Sequence, residues 1–235
     1  KKPGSFERGG TLRDSDISNL GGNNSYGKNV PIYEAQIKKA TEALKKDPKD
    51  EFAQFQLDNA TKRLKKYEDS KKVLDSIVAN SPKGTEVYIG QNGGIRTRYT
   101  TPNGNEVSTD LHRGSFNFQV NKGYDVGTVT QGRAEELAVA RQVQRVWSAT
   151  MNGLPKDYVI GTSAYEEDGR GASRQRAYER MGFSKGQPGD SIYARWNGSK
   201  MVPSNQSEEG LSSTLLMFAE KKESDLALWY VAIFG

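Results

Sequence analysis

Apolar residues between positions 31 and 81 recur at the three- to four-residue spacing of an α-helix. A first helix is predicted over residues 32–46, on a stripe of Tyr33, Ile37, Ala40 and Leu44. Pro31 suits its first turn, and Asp47-Pro48 ends it because the residue before a proline is displaced from the helical conformation. A second helix is predicted from near Asp50 to about Asn80, on a 3-4 repeat of Leu57, Ala60, Leu64, Tyr67, Lys71, Leu74 and Val78. We therefore expect a helical hairpin over residues 31–81.

After the boundary at residues 81–84, apolar residues recur at every second position, and this alternation predicts strands. Turns at 92–94 and 102–105 separate strands predicted at 87–89, 95–99, 106–109 and 115–120, which form an antiparallel meander. The pattern then predicts a helix over 133–151, a strand at 158–162, a helix over 171–181 and a last strand at 192–196. The helix over 133–151 is expected to bury a face of Leu137, Ala140, Val143 and Trp147. This order predicts an α+β or α/β domain with a mixed sheet over residues 85–200.

The two ends of the chain differ from this middle part. Residues 1–30 are rich in Gly, Asn and Ser, so we expect an extended arm that an outside partner holds if it is ordered. Residues 201–235 are predicted as a polar linker and an apolar strand at 226–234, which is too short to span a membrane. The numbering starts at Lys1, so a segment of a longer chain or a processed product is expected. The arm, the hairpin and the strand at 226–234 are the expected contacts with protein partners or further copies.

The composition of the chain limits the kinds of site that it can form. Hydrophobic residues make up 34% of the chain, cysteine is absent, and His112 is the single histidine, so we expect neither disulfides nor a metal site. The net charge of +5 permits contact with phosphates, but the basic residues alternate with acids, as on a solvated helix face. Binding of nucleic acid therefore ranks last among the functions considered. No signal-peptide pattern opens the chain.

The segment Arg176-Ala177-Tyr178-Glu179-Arg180-Met181-Gly182-Phe183 resembles the end of a late helix in the GNAT superfamily of N-acetyltransferases. A glycine suits the left-handed conformation at such a helix end, and the phenylalanine after it fills the core. Upstream, Gly132-Arg133-Ala134 is similar to the end of the family's pyrophosphate-binding loop, where backbone N–H groups at a helix start face phosphate oxygens. The resemblance covers residues 85–200, with motif support over 115–196.

The resemblance implies that acetyl-CoA is bound. Its pantetheine would lie along Phe118 to Val120 and its pyrophosphate over Gly132, Arg133 and Ala134, while Tyr178 would protonate the leaving thiolate. The strand at 115–120 carries no carboxylate to accept the proton of an amine. Glu106, Asp110 and His112 of neighbouring segments are the available substitutes, and in some members of the family water serves instead. A packing role for Tyr178 and an ordinary loop role for Gly132 are the alternatives.

Two functions from different classes fit these features. The first is an N-acyltransferase that uses acetyl-CoA on an amine acceptor, in the cytoplasm. The second is a non-enzymatic component of a large assembly, such as a bacteriophage virion, built on a GNAT-like fold. Asp168-Gly169-Arg170-Gly171 with the Met181-Gly182-Phe183 ending resembles phage-encoded chains, and the arm, hairpin and apolar last strand favour assembly.

Overall fold

A computed structural model describes residues 6–13, 17–20, 26–112, 114–122, 125–126, 133–164 and 171–204. The chain divides into two compact units, Lys1–Pro155 and Lys156–Gly235. The predicted site residue Gly132 and the apolar stretch at 226–234 lie outside the described residues.

Two long helices, α1 (Tyr26–Lys46) and α2 (Glu51–Asn80), form the predicted hairpin. The carboxylate of Asp50 caps α2 by accepting a hydrogen bond from the backbone N–H of Ala53 at 2.9 Å. Tyr33 of α1 and Ala60 of α2 are buried against each other, and three partly buried residues pack on them: Ile37, Leu64 and Tyr67. The predicted apolar seam between the helices is thus confirmed along this part of the hairpin.

The start of α1 differs from the prediction. Pro31 lies inside the helix rather than in its first turn, because the helix begins at Tyr26. A proline there removes one N–H bond, to the carbonyl of Gly27. The additional turn packs against a short 3₁₀ helix, Ile17–Asn19, and this contact favours the longer helix.

Residues 6–13 are held by the first unit itself, whereas an arm held from outside was expected. The strand β1 (Thr11–Leu12) runs parallel to β2 (Glu86–Ile89) at the edge of a sheet. The backbone N–H of Gly10 donates to the carbonyl of Val78 at 2.7 Å. Because β1 has only two residues, it shows no alternation of apolar and polar positions, and the sequence pattern could not predict it.

The predicted meander is confirmed and extended. Its strands after β2 are β3 (Ile95–Thr100), β4 (Glu106–His112), β5 (Ser115–Lys122) and the short β6 (Asp125–Val126). Every consecutive pair from β2 to β6 is antiparallel. In β4 and β5, Val107, Thr109 and Phe116 are buried on one face, while the alternate residues form a polar face.

Helix α3 (Arg133–Met151) has the predicted bounds and packs against α2 and β4. Val143 and Trp147 are buried as predicted, and the Trp147 ring lies 4.7 Å from that of Phe116. Leu137 is 45% exposed and Ala140 is also exposed, so the predicted face is wrong in the first half of the helix. Two polar residues, Glu135 and Gln142, take the buried places there because each finds hydrogen-bond partners.

The second unit contains β7 (Val159–Ser163), α4 (Gly171–Arg180), β8 (Ser191–Trp196) and β9 (Met201–Ser204). The strands pair antiparallel in the order β7, β8, β9. The sequence did not predict β9, because it has four residues and includes Pro203, which lacks a backbone N–H donor.

The fold class is mixed α+β, as predicted. Among the described helices, none combines the length and the apolar character needed to cross a membrane.

Candidate functional site

The predicted pantetheine contacts lie on β5. Phe118 and Val120 are half-buried and share a strand face with Phe116, whose ring packs on Trp147. These side chains therefore belong to the apolar side of the meander. A cofactor arm that pairs with β5 would use the backbone of these residues rather than their side chains.

The predicted pyrophosphate contacts lie at the start of α3. Arg133 is its first residue and Ala134, the second, is exposed. The first four backbone N–H groups of any α-helix have no acceptor within the helix. The small, exposed side chain of Ala134 is therefore compatible with an anion at this helix start.

The next residue, Glu135, forms a buried hydrogen-bonded centre that the sequence did not predict. Its side chain is 4% exposed. The carboxylate accepts hydrogen bonds from Asn105 Nδ2 at 2.7 Å, Thr101 Oγ1 at 2.5 Å and Asn103 Nδ2 at 2.9 Å. The three donors all come from the β3–β4 turn, so Glu135 ties the start of α3 to the meander.

The same contacts determine the ionisation of Glu135. Hydrogen bonds from Asn105 and then Thr101 lower its pKa below the ordinary value of 4.5, a third bond from Asn103 adds to this, and burial opposes them. The carboxylate therefore stays ionised and fully engaged. A sequence signal existed: three side-chain donors lie within five residues, Thr101 to Asn105, of a predicted tight turn.

Tyr178 lies in α4 and is 3% exposed. Its carbonyl accepts from the N–H of Phe183 at 3.1 Å, and the carbonyl of Glu179 accepts from the N–H of Gly182 at 3.1 Å. This pair of bonds is a Schellman motif, which ends the helix at a residue in the left-handed region. Gly182 has a φ of 102°, and a Cβ there would be 2.7 Å from Met201 Cβ. The predicted need for glycine is confirmed.

The Schellman motif also explains why a tyrosine and a phenylalanine frame the glycine. The rings of Tyr178 and Phe183 meet edge to face, with centroids 5.6 Å apart. Such a contact between the third residue from the helix end and the second residue beyond it commonly accompanies the motif. Phe183 is buried, as predicted. Tyr178 therefore has a packing role; its role as an acid stays a prediction.

The three substitutes for a missing base lie together on the polar face of β4. Glu106, Asp110 and His112 occupy alternate positions of that strand, so their side chains leave the same side of the sheet. Glu106 forms an ion pair with Arg98 at 3.5 Å. Asp110 faces Arg96 of β3, and its Oδ2 lies 3.4 Å from Arg96 Nε.

Asp110 and His112 are the pair with free hydrogen-bonding capacity. Asp110 Oδ1, His112 Nε2 and Arg96 Nε are shielded from solvent, and within the described part of the chain none of these atoms has a hydrogen-bond partner. Gly94 covers this group closely: a Cβ at that position would be 2.9 Å from Asp110 Oδ1 and 3.0 Å from His112 Cβ. We call Arg96, Asp110 and His112 the β4 polar cluster.

The chemistry of the β4 polar cluster suits a proton acceptor. Shielded polar atoms without partners are rare in folded proteins and often mark a functional site. Carboxylate and imidazole side chains commonly act as proton acceptors in enzyme sites, and the Asp110 carboxylate lies 3.4 Å from Arg96 Nε. The turn centred on Asn103 would have predicted the Arg96–Asp110 pair, because a hairpin register follows from its turn.

The residues predicted to form one site are thus distributed over both units. Phe118, Val120, Arg133 and Ala134 belong to the first unit and Tyr178 to the second. In the described ranges, no group of three or more His, Cys, Asp or Glu side chains could hold a metal ion.

Comparison with protein-family models, with curated proteins and with solved structures gives no significant match.

Proposed function

We propose that this chain carries a GNAT-like N-acyltransferase-type domain that moves the acetyl group of acetyl-CoA to an amine. The observation that carries the proposal is the end of α4. Its Schellman motif requires a glycine at position 182 and packs Phe183 against Tyr178, which agrees with the helix end that the resemblance describes.

The order of elements between the two motifs supports the same proposal. The predicted pyrophosphate loop leads directly into α3, and α3 is followed by β7, then α4, then β8. This helix, strand, helix and strand order is the one that the resemblance implies.

The β4 polar cluster supplies a proton acceptor for the amine, which the strand at 115–120 lacks. The thioester, when bound, provides an activated carbonyl carbon, and transfer forms a C–N bond while the C–S bond breaks. Asp110 or His112 would take the proton from the amine nitrogen. Arg96 would hold the Asp110 carboxylate in place. The return of a proton to the departing sulfur is the role that the resemblance implies for Tyr178 of the second unit.

A thiol-release assay tests the proposal directly. The chain has no cysteine, so free thiol measured with a colorimetric disulfide reagent comes from CoA alone. With acetyl-CoA and a panel of primary amines, we expect amine-dependent thiol release. Tyr178→Phe keeps the ring contact with Phe183 but should lower the rate by about 10²–10⁴-fold. Tyr33→Phe changes another buried tyrosine and should leave the rate unchanged.

The outcomes separate the two roles of Tyr178. Equal rates for the wild type and Tyr178→Phe would leave the tyrosine with its packing role only. No amine-dependent release from a folded wild-type chain, over the whole panel, would reject the enzymatic proposal.

A second candidate function is docking into a larger assembly through the helical hairpin. At the start of α2, Phe52 is 68% exposed and Phe55 is 55% exposed. They are three positions apart, so they share one face of the helix. Two adjacent exposed aromatic rings are characteristic of a protein-binding surface.

A further inference from the structure

A surface cavity of about 180 Å³ lies between the N-terminal segment, the end of α2 and the second half of α3. Arg8 comes from the segment before β1, and Arg141 and Arg145 come from α3. The α3 residues that line it follow helical spacing, so they form one stripe: Arg141, Gln144, Arg145, Ser148 and Ala149. Asn152, directly after the helix, completes this side of the lining. We call this the arginine cavity.

The charge of the arginine cavity is not balanced by its own lining. Three arginines and no carboxylate occur among the described residues that line it. Arg8 donates to Asn80 Oδ1 at 3.3 Å, a neutral acceptor. The nearest acid along the chain, Glu7, is engaged with Lys83 Nζ at 2.9 Å and therefore does not neutralise the arginines.

The aromatic ring of Phe6 contacts two of these cations. The guanidinium carbon of Arg145 lies 4.2 Å from the centroid of Phe6, and that of Arg8 lies 5.7 Å from the same centroid. Cation–π contact stabilises each arginine by roughly 0.5–1 kcal/mol at an exposed site, but it leaves their N–H donors available and their mutual repulsion in place. Because both arginines line the cavity, an anion bound there would offset that repulsion.

We propose that the arginine cavity binds a phosphate group, as the free dianion or as a phosphomonoester. A guanidinium presents five N–H donors in a planar fork that matches phosphate oxygens. A carboxylate has two oxygens and one charge, so it would satisfy one arginine and leave the others unpaired. The side-chain amides of Gln144 and Asn152, which also line the cavity, can supply further donors.

The size and position of the cavity agree with such a ligand. Its volume exceeds the roughly 30 Å³ that a water molecule occupies in the liquid several times over, so a hydrated phosphate fits. Arg141 lies seven residues after Ala134, about 10 Å farther along the helix axis. The arginine cavity is therefore separate from the predicted pyrophosphate contacts at the start of α3.

Calorimetric titration with inorganic phosphate, at constant ionic strength with chloride as balance, tests this proposal. We expect one saturable site, and about tenfold weaker binding for Arg141→Gln, because a hydrogen bond to a charged group contributes about 1.5 kcal/mol. Arg141 is exposed, so this variant should fold normally. The double variant Lys45→Gln/Lys46→Gln removes two exposed charges at the end of α1 and should bind as the wild type does.

A parallel titration with phenyl phosphate distinguishes the two sources of the group. Tighter binding of phenyl phosphate assigns the cavity to phosphomonoesters, and tighter binding of inorganic phosphate assigns it to the free ion. The proposal is overturned if no saturable heat is seen up to about 10 mM of either probe, or if Arg141→Gln and the lysine variant weaken binding equally.

Discussion

The carboxylate of Glu135 connects the start of α3 to the β3–β4 turn. It is buried, yet its two oxygens accept three hydrogen bonds from Thr101, Asn103 and Asn105. Burying a charge is tolerated when such bonds replace its hydration. The turn at 101–105 and the first turn of α3 should therefore unfold together.

Replacing Glu135 with glutamine should destabilise the first unit by about 1–3 kcal/mol, because one amide N–H₂ then faces the amide donors of Asn103 or Asn105. Urea denaturation followed by circular dichroism measures this loss. Glu34→Gln, on the exposed side of α1, should change stability by less than about 0.5 kcal/mol. Equal values for the two variants would mean that the hydrogen bonds of Glu135 contribute nothing.

Glu135 should also contribute to acid sensitivity. Its folded-state pKa is lowered, so its contribution to stability is complete above the ordinary value of 4.5 and is lost as pH falls through the lower folded-state pKa. The difference in stability between the wild type and Glu135→Gln should therefore shrink below pH 4.5. Denaturation curves at several pH values test this; a difference that stays constant down to the lowest pH would contradict the assignment.

Gly182 and Gly104 form a matched pair for testing the end of α4. Both have positive φ, 102° and 82°, but a Cβ at Gly104 would meet nothing within 4 Å, whereas one at Gly182 would be 2.7 Å from Met201 Cβ. Gly104→Ala should cost about 1 kcal/mol for its conformation alone. Gly182→Ala should cost roughly 1–3 kcal/mol more for the added clash. Equal losses in urea denaturation would show that no close approach to Met201 exists in solution.

At the scale of elements, the sequence predicted the helices and strands that contain several repeats of the apolar spacing or end at a clear stop signal. The bounds of α2 and α3 follow from caps and apolar spacing, and the strands of the meander follow from turns at Gly93 and Gly104. The prediction missed β1, β6 and β9 because elements of two to four residues carry too few positions for a period. It misassigned the first half of α3 because polar Glu135 is buried there, which apolar spacing cannot reveal.

The tip of the hairpin permits a test of the docking function. If the hairpin mediates assembly, the double variant Phe52→Ser/Phe55→Ser should reduce the molar mass measured by light scattering after size exclusion, because it removes exposed apolar surface. Ile32→Ser changes another exposed apolar residue, on α1, and serves as the control. A wild type that runs as a monomer, with both variants unchanged, would exclude self-assembly through this tip.

At the scale of the whole molecule, the candidate site was predictable in part. The motif ending in Gly182-Phe183 showed where a helix must end, and the structure agrees. The Arg96–Asp110 pair follows from the register that the turn at Asn103 sets, so the sequence could have predicted it. The arginine cavity depends on how residue 8 packs near α3, which local spacing does not show. Sequence thus predicts motifs, while the pairing of distant residues requires the fold.

The central claim is that the chain binds acetyl-CoA. Isothermal titration of the Arg141→Gln variant with acetyl-CoA, in phosphate-free buffer, tests it most directly, because that variant weakens the arginine cavity as a competing phosphate site. The account predicts one molecule bound per chain with a dissociation constant between about 1 μM and 1 mM. A folded protein that gives only the heat of dilution at millimolar acetyl-CoA would contradict it.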